Sequence, residues 1–148
     1  MSVRAVVDTN VLVYTQDADE PERHDRAIEV LDWLVTADGA ALTTQVLAEY
    51  YVTVTRRFGD RLNAEMATEQ VKRFSDSMPV FDTTFDVVLE ALRGVIRYRM
   101  SYYDAQIWAA ARLNGIGTVL SEDFQDGQEI EGVRFVDPFA PGFDTEAL

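Results

Sequence analysis

Cysteine is absent from this chain of 148 residues, and histidine occurs once. The first absence excludes disulfides and thiolate chemistry, and the second excludes a zinc site built on histidines. The single histidine, His24, lies in the charged segment Glu20–Arg26 and reads as a solvated helix residue. Any metal here would be a hard cation held by oxygen. No apolar run approaches the length of a membrane span, and Met1-Ser2-Val3-Arg4 leads straight into a strand without the layout of a signal peptide. A cytoplasmic protein without a membrane partner is therefore expected.

Positive charge is also scarce. Lys and Arg total 13 against 26 Asp and Glu, a net charge of −13. Phosphate backbones are bound through Lys and Arg, so this balance argues against a general nucleic-acid binder. The cations that do occur are almost all arginine, with Lys72 the one exception, and Arg56-Arg57, Arg93, Arg97 and Arg99 are clustered. Arginine suits forked phosphate contacts, although such clusters can equally be surface charges that balance an acidic protein.

With 47% hydrophobic and 11% aromatic residues, the chain has material for one domain with a real core. Arg4–Val7 reads as a buried strand that stops at Asp8, and Asp8-Thr9-Asn10 can cap a following helix. A helix starts at Asp19-Glu20-Pro21 and ends near Thr36–Gly39, followed by a strand at Ala40–Thr43. Helices then run from Thr43 or Thr44 to about Arg57 and over roughly Asn63–Ser77. Met78–Phe81 is a short strand that Pro79 places at the sheet edge. Two more helices start at Thr83 or Thr84 and at Ser101, ending at about Arg99 and at Asn114-Gly115. Thr118–Ser121 is a fourth strand, Glu122–Gly132 a loop and Val133–Val136 a fifth strand, with an irregular tail from about Pro138. Alternating strands and helices make this an α/β domain with a mainly parallel sheet, spanning residues 1–148.

In such sheets ligands bind beyond the carboxyl ends of the strands. Asp8 follows the first strand directly, Asp123 falls just past the carboxyl end of the fourth, and Glu49 lies early in the helix after the second. Asp104 reaches the same edge because its helix is joined to the fourth strand by only Asn114–Gly117, which makes the two antiparallel neighbours. Each acid also has a plain structural explanation. Ser101 and Asp104 have the spacing of a capping arrangement, Glu49 could be a surface residue beside Gln45 and Thr53, and Asp123 could belong to a solvated loop. Against capping, Asp104 shares a helical face with Ile107, Trp108 and Ala111 that looks buried. Together, like charges at one edge repel unless something positive sits among them.

Val6-Val-Asp8-Thr-Asn10, Glu49, Ser101-Tyr-Tyr-Asp104-Ala-Gln-Ile-Trp108 and Leu120-Ser-Glu-Asp123-Phe-Gln-Asp-Gly127 resemble, in order and spacing, the PIN domain family and its VapC-type toxin ribonucleases. The resemblance implies a three-layer α/β fold, with a five-stranded sheet in the order 3-2-1-4-5 between helices. It implies that Asp8, Glu49, Asp104 and Asp123 form the catalytic set and hold Mg²⁺ or Mn²⁺, with Thr9, Asn10 and Ser121 as supporting polar groups. It further implies an endoribonuclease acting on RNA, a cognate antitoxin threading into the acidic groove, and a homodimer. An inactive PIN-like binding module and a PIN nuclease of RNA processing stay open as alternatives. A response-regulator receiver needs a lysine after its last strand, and Lys72 is misplaced for that. A haloacid-dehalogenase-like phosphatase needs an aspartate where Asn10 stands.

Setting aside the acids of the site, the chain keeps a large negative excess, which salt screening makes tolerable. Thermal melts in dilute buffer and in molar KCl are expected to show a higher melting temperature in salt. A melting point that fails to rise would exclude a salt-adapted surface.

Overall fold

The structure is a computed structural model and describes residues 3–148. Its elements in chain order are β1 (Ala5–Val7), α1 (Thr9–Tyr14), α2 (Pro21–Thr36), β2 (Ala40–Thr43), α3 (Thr44–Arg57), α4 (Ala64–Ser77), β3 (Val80–Phe81), α5 (Phe85–Tyr98), α6 (Tyr102–Leu113), β4 (Thr118–Leu120), β5 (Glu129–Ile130) and β6 (Val133–Val136), with a 3-10 turn at Thr145–Ala147. The sheet order is β3-β2-β1-β4-β6-β5. All neighbours are parallel except β5 against β6. Among the described residues no helix is long and apolar enough to cross a membrane.

β1 is central because Ala5, Val6 and Val7 are apolar towards both faces, and all three are buried. It is registered on β2 through Ala5 and Ala40 and on β4 through Val7 and Leu120. β3 lies at the edge, as Pro79 predicts, and is only two residues long. The helices pack in two groups, α1 to α4 and α5 with α6. Side-chain caps at Thr43, Asn63 and Thr84 start α3, α4 and α5 where the sequence places them.

Two expectations need correction. His24 is half-buried, and its Nδ1 donates to the Tyr14 carbonyl at 2.9 Å, so it closes the end of α1 instead of facing solvent. The sheet has six strands where five are expected, because β5 lies inside the segment read as a loop. The turn Glu131-Gly132 has positive φ at both positions, 47° and 83°, which is the hairpin geometry that matches strand twist. A strand of two residues in an Asp-, Gln- and Glu-rich stretch carries no periodicity, so only the turn could have revealed it. Trp108 explains why the hairpin is retained. Its indole is fully buried, and Nε1 donates to the Ile130 carbonyl at 3.0 Å.

α5 crosses α6 where glycine leaves room for that indole. A Cβ at Gly94 would lie 2.8 Å from Trp108 Cζ3 and 3.0 Å from Cε3. Gly94→Ala is expected to destabilise by about 1–3 kcal/mol through overpacking, outweighing the helix propensity gained, which is about 1 kcal/mol. Thermal or denaturant unfolding of the two proteins measures the difference.

Candidate functional site

Asp8 ends β1 and caps α1 in one residue. Its backbone N–H donates to Leu120 O at 2.9 Å, prolonging the ladder to β4, and its backbone is extended, with φ −77° and ψ 161°. Oδ1 accepts from the Thr9 N–H at 2.7 Å, and Oδ2 accepts from Ser121 Oγ at 2.7 Å. The side chain is nearly enclosed, at 9% exposure. Burial pushes the carboxyl up to about 6; the bonds from Ser121 and Thr9 oppose this, and the charges of Asp123 and Glu49 reinforce it.

Ser121 organises the next layer. Its Oγ donates to Asp8 while accepting from Asn10 Nδ2 at 3.0 Å and from the Asp123 N–H at 3.0 Å. Asn10 Nδ2 also donates to Asp123 Oδ2 at 3.1 Å. Asp123 is raised above the usual carboxylate range, first by burial; the Asn10 bond opposes this, and Asp104, Glu122 and Asp137 add to it by repulsion. Glu49 is half-buried, accepting from Thr9 Oγ1 at 3.3 Å and from Gln45 Nε2.

Asp104 differs from its expected setting. It is half-exposed, not buried with Ile107 and Trp108, because it stands in the first turn of α6 before the helix passes under its neighbours. Capping does not account for it, since Ser101 makes no side-chain cap bond. Asp104 has no hydrogen-bond or ion-pair partner among the described residues, and its charge is felt at Asp123. Among the described residues, no three Asp, Glu or His side chains stand close enough together to enclose a metal ion as they are.

Glu49 and Asp123 both line a cavity of about 250 Å³, whose wall also carries Thr9, Asn10, Tyr14, Thr53, Arg57 and Glu122. Glu122 is not a free loop acid. It accepts from Tyr14 Oη at 2.6 Å and from Arg23 Nε at 3.2 Å. Gln45 and Gln106 were not singled out from the sequence as site residues. Gln106 Nε2 donates to Gln45 Oε1, and Gln45 in turn holds Glu49. The available signal was an amide inside the run Ala105-Gln-Ile-Trp-Ala, where Gln106 is buried at 6% exposure.

The PIN domain profile matches residues 5–125, a span that contains all four acids. The chain belongs to the PIN domain family. Among solved structures it resembles VapC20 of Mycobacterium tuberculosis, a sarcin-ricin loop cleaving toxin, at 23% identity and TM-score 0.63, covering 78% of this chain and 86% of that one. A toxin-antitoxin complex from Klebsiella pneumoniae matches at 17% identity and TM-score 0.66, over 90% and 97% of the two chains. DNA-bound VapBC from Salmonella typhimurium matches at 17% identity and TM-score 0.65, over 92% and 98%. At these identities the likeness is one of fold. A comparison with curated proteins found no match. In this PIN domain Asp8 follows β1, Glu49 lies on α3, Asp104 on α6 and Asp123 after β4.

The raised Asp8 carboxyl has a consequence for stability. The folded state keeps its proton up to about pH 6, whereas the unfolded chain releases it near 3.8. The folded protein therefore binds more protons in that window, and its stability falls as pH rises through it. Denaturant unfolding in EDTA is expected to show the parent losing on the order of 2 kcal/mol relative to Asp8→Asn between about pH 4 and pH 7. A pH-independent difference between the two would place Asp8 in a solvated site.

Proposed function

We propose that this PIN domain is a divalent-metal-dependent endoribonuclease that hydrolyses RNA phosphodiester bonds, acting as the toxin of a toxin-antitoxin pair. The observation that carries the reading is the convergence of Asp8, Glu49, Asp104 and Asp123 at one sheet edge with none of them in an ion pair among the described residues.

The donor set fits Mg²⁺ or Mn²⁺. It is all oxygen, none of its four acids is ion-paired among the described residues, and Mg²⁺ retains waters, so a few carboxylates are enough. When bound, the ion supplies an activated water and neutralises the scissile phosphate. The protein's own groups do the positioning. Ser121 and the Thr9 N–H hold Asp8, Asn10 holds Asp123, and Thr9 and Gln45 hold Glu49. Asp104 has no such support and is the ligand free to adjust.

The toxin assignment draws on the fold shared with the VapC and toxin-antitoxin structures. An antitoxin that enters this groove would place a basic side chain among the carboxylates, where the metal otherwise sits. The homodimer that the resemblance implies has a suitable face on α5, where Phe85, Leu89, Leu92 and Ile96 form an exposed apolar stripe at helical spacing.

Asp8→Asn and Asp104→Asn are expected to lower Mg²⁺-dependent cleavage of RNA on the order of a hundredfold or more, since even outer-shell partners are worth ten- to a hundredfold. Mn²⁺ titration of the same proteins by calorimetry should lose its binding heat. Asp104→Asn should melt at or above the parent, because it removes repulsion with Asp123 and breaks no bond; a purely structural aspartate would instead cost about 1 kcal/mol and leave cleavage intact.

A further inference from the structure

Asp17 is a buried carboxylate outside the acid set. At 1% exposure it accepts from the Asp19 N–H at 3.1 Å and from Arg57 Nη2 at 3.0 Å. Arg57 is the last residue of α3, the helix that carries Glu49. Glu49, Thr53 and Arg57 stand four residues apart, so they share one helix face, and all three line the same cavity. Among the described residues, Arg57 is the one cation on that wall.

The guanidinium is held in place but not used up. Its carbon sits 5.0 Å from the centre of the Phe58 ring, Asp17 takes an N–H of Nη2, and the side chain remains 49% exposed. A guanidinium has five N–H donors, and several stay free for a ligand. A forked donor set held by a buried acid and an aromatic ring is suited to a phosphate oxygen pair. The need for one is plain in a cavity walled by Glu49, Glu122 and Asp123, in a chain of net charge −13, because every phosphate entering it is repelled.

We propose that Arg57, held by Asp17 against Phe58, binds an RNA phosphate next to the one that enters the four-acid edge, and so positions the strand. The inference rests on the ribonuclease reading. Arg57→Gln is expected to raise KM for RNA about tenfold, the worth of a charge-assisted hydrogen bond, with little change in kcat. Binding of a fluorescent single-stranded RNA in EDTA should weaken in step, and its dependence on log salt should become shallower by about 0.7. Arg57→Lys should fall between, and Asp17→Asn should raise KM less than Arg57→Gln does.

Arg61→Gln is the control. Its guanidinium lies 5.1 Å from the same Phe58 ring but does not line the cavity, so it removes equal charge and should leave KM near the parent value. Equal effects of Arg57→Gln and Arg61→Gln, or a change in melting temperature alone, would overturn the assignment. If leaving Asp17 unpaired prevents folding, the double variant Asp17→Asn/Arg57→Gln removes both charges and takes the same measurements. A parent that neither cleaves nor binds RNA overturns the ribonuclease reading and this inference with it. An active parent with an unaffected Arg57→Gln variant overturns this inference only.

Discussion

Enclosing the Asp8 carboxylate at the end of the central strand is the constraint on which the site depends. A buried charge needs hydrogen bonds on both oxygens, and the two donors come from places far apart in sequence, the first turn of α1 and the end of β4. Satisfying Oδ2 requires Ser121 at the carboxyl end of β4, which in turn requires β4 to lie beside β1 in parallel register. Once Ser121 donates to Asp8, its remaining acceptor capacity draws in Asn10 and the Asp123 backbone. One buried oxygen thus fixes the β1–α1 junction to the segment after β4.

The cost of that arrangement is electrostatic. Burial first, and then repulsion from neighbouring acids, push the Asp8 and Asp123 carboxyls above their usual range, and none of the hydrogen bonds to them comes from a cation. Where the fold uses ion pairs it uses them elsewhere. Glu90 and Glu131 take Arg93 and Arg112 to fasten the β5-β6 hairpin onto α5 and α6, and Tyr98 adds its hydroxyl to Glu131. Glu90 and Glu131 are paired with arginines, whereas Asp8, Glu49, Asp104 and Asp123 have no ion pair among the described residues. That contrast is what the proposed metal-binding role of these acids draws on.

Much of this was legible before any coordinates. Strand ends followed by Asp8 and Asp123, the cap residues Thr43, Asn63 and Thr84, and the proline of the edge strand are local signals, and local signals survive in the fold. The first strand of the hairpin, β5, is hidden because two residues carry no period, and Asp104 is more exposed than its helical face suggests because helical spacing names a face without saying where along the helix cover begins. Gln106 was visible only as an amide in an apolar run, and its link through Gln45 to Glu49 joins α6 to α3 across sixty-one positions.

What the sequence determined by itself was the alternation of strand and helix, the edge at which acids would gather, and the exclusion of thiolate and histidine chemistry, because each depends on residue type and short-range spacing. What only the tertiary structure decided was who touches whom: that Ser121 and Asn10 bind Asp8 and Asp123, that Glu122 is engaged by Tyr14 and Arg23, and that Asp17 holds Arg57 beside the acidic cavity. Those pairings span from forty to over a hundred residues. No local propensity encodes them, since they follow from how the packed sheet brings distant helix and strand ends to one edge.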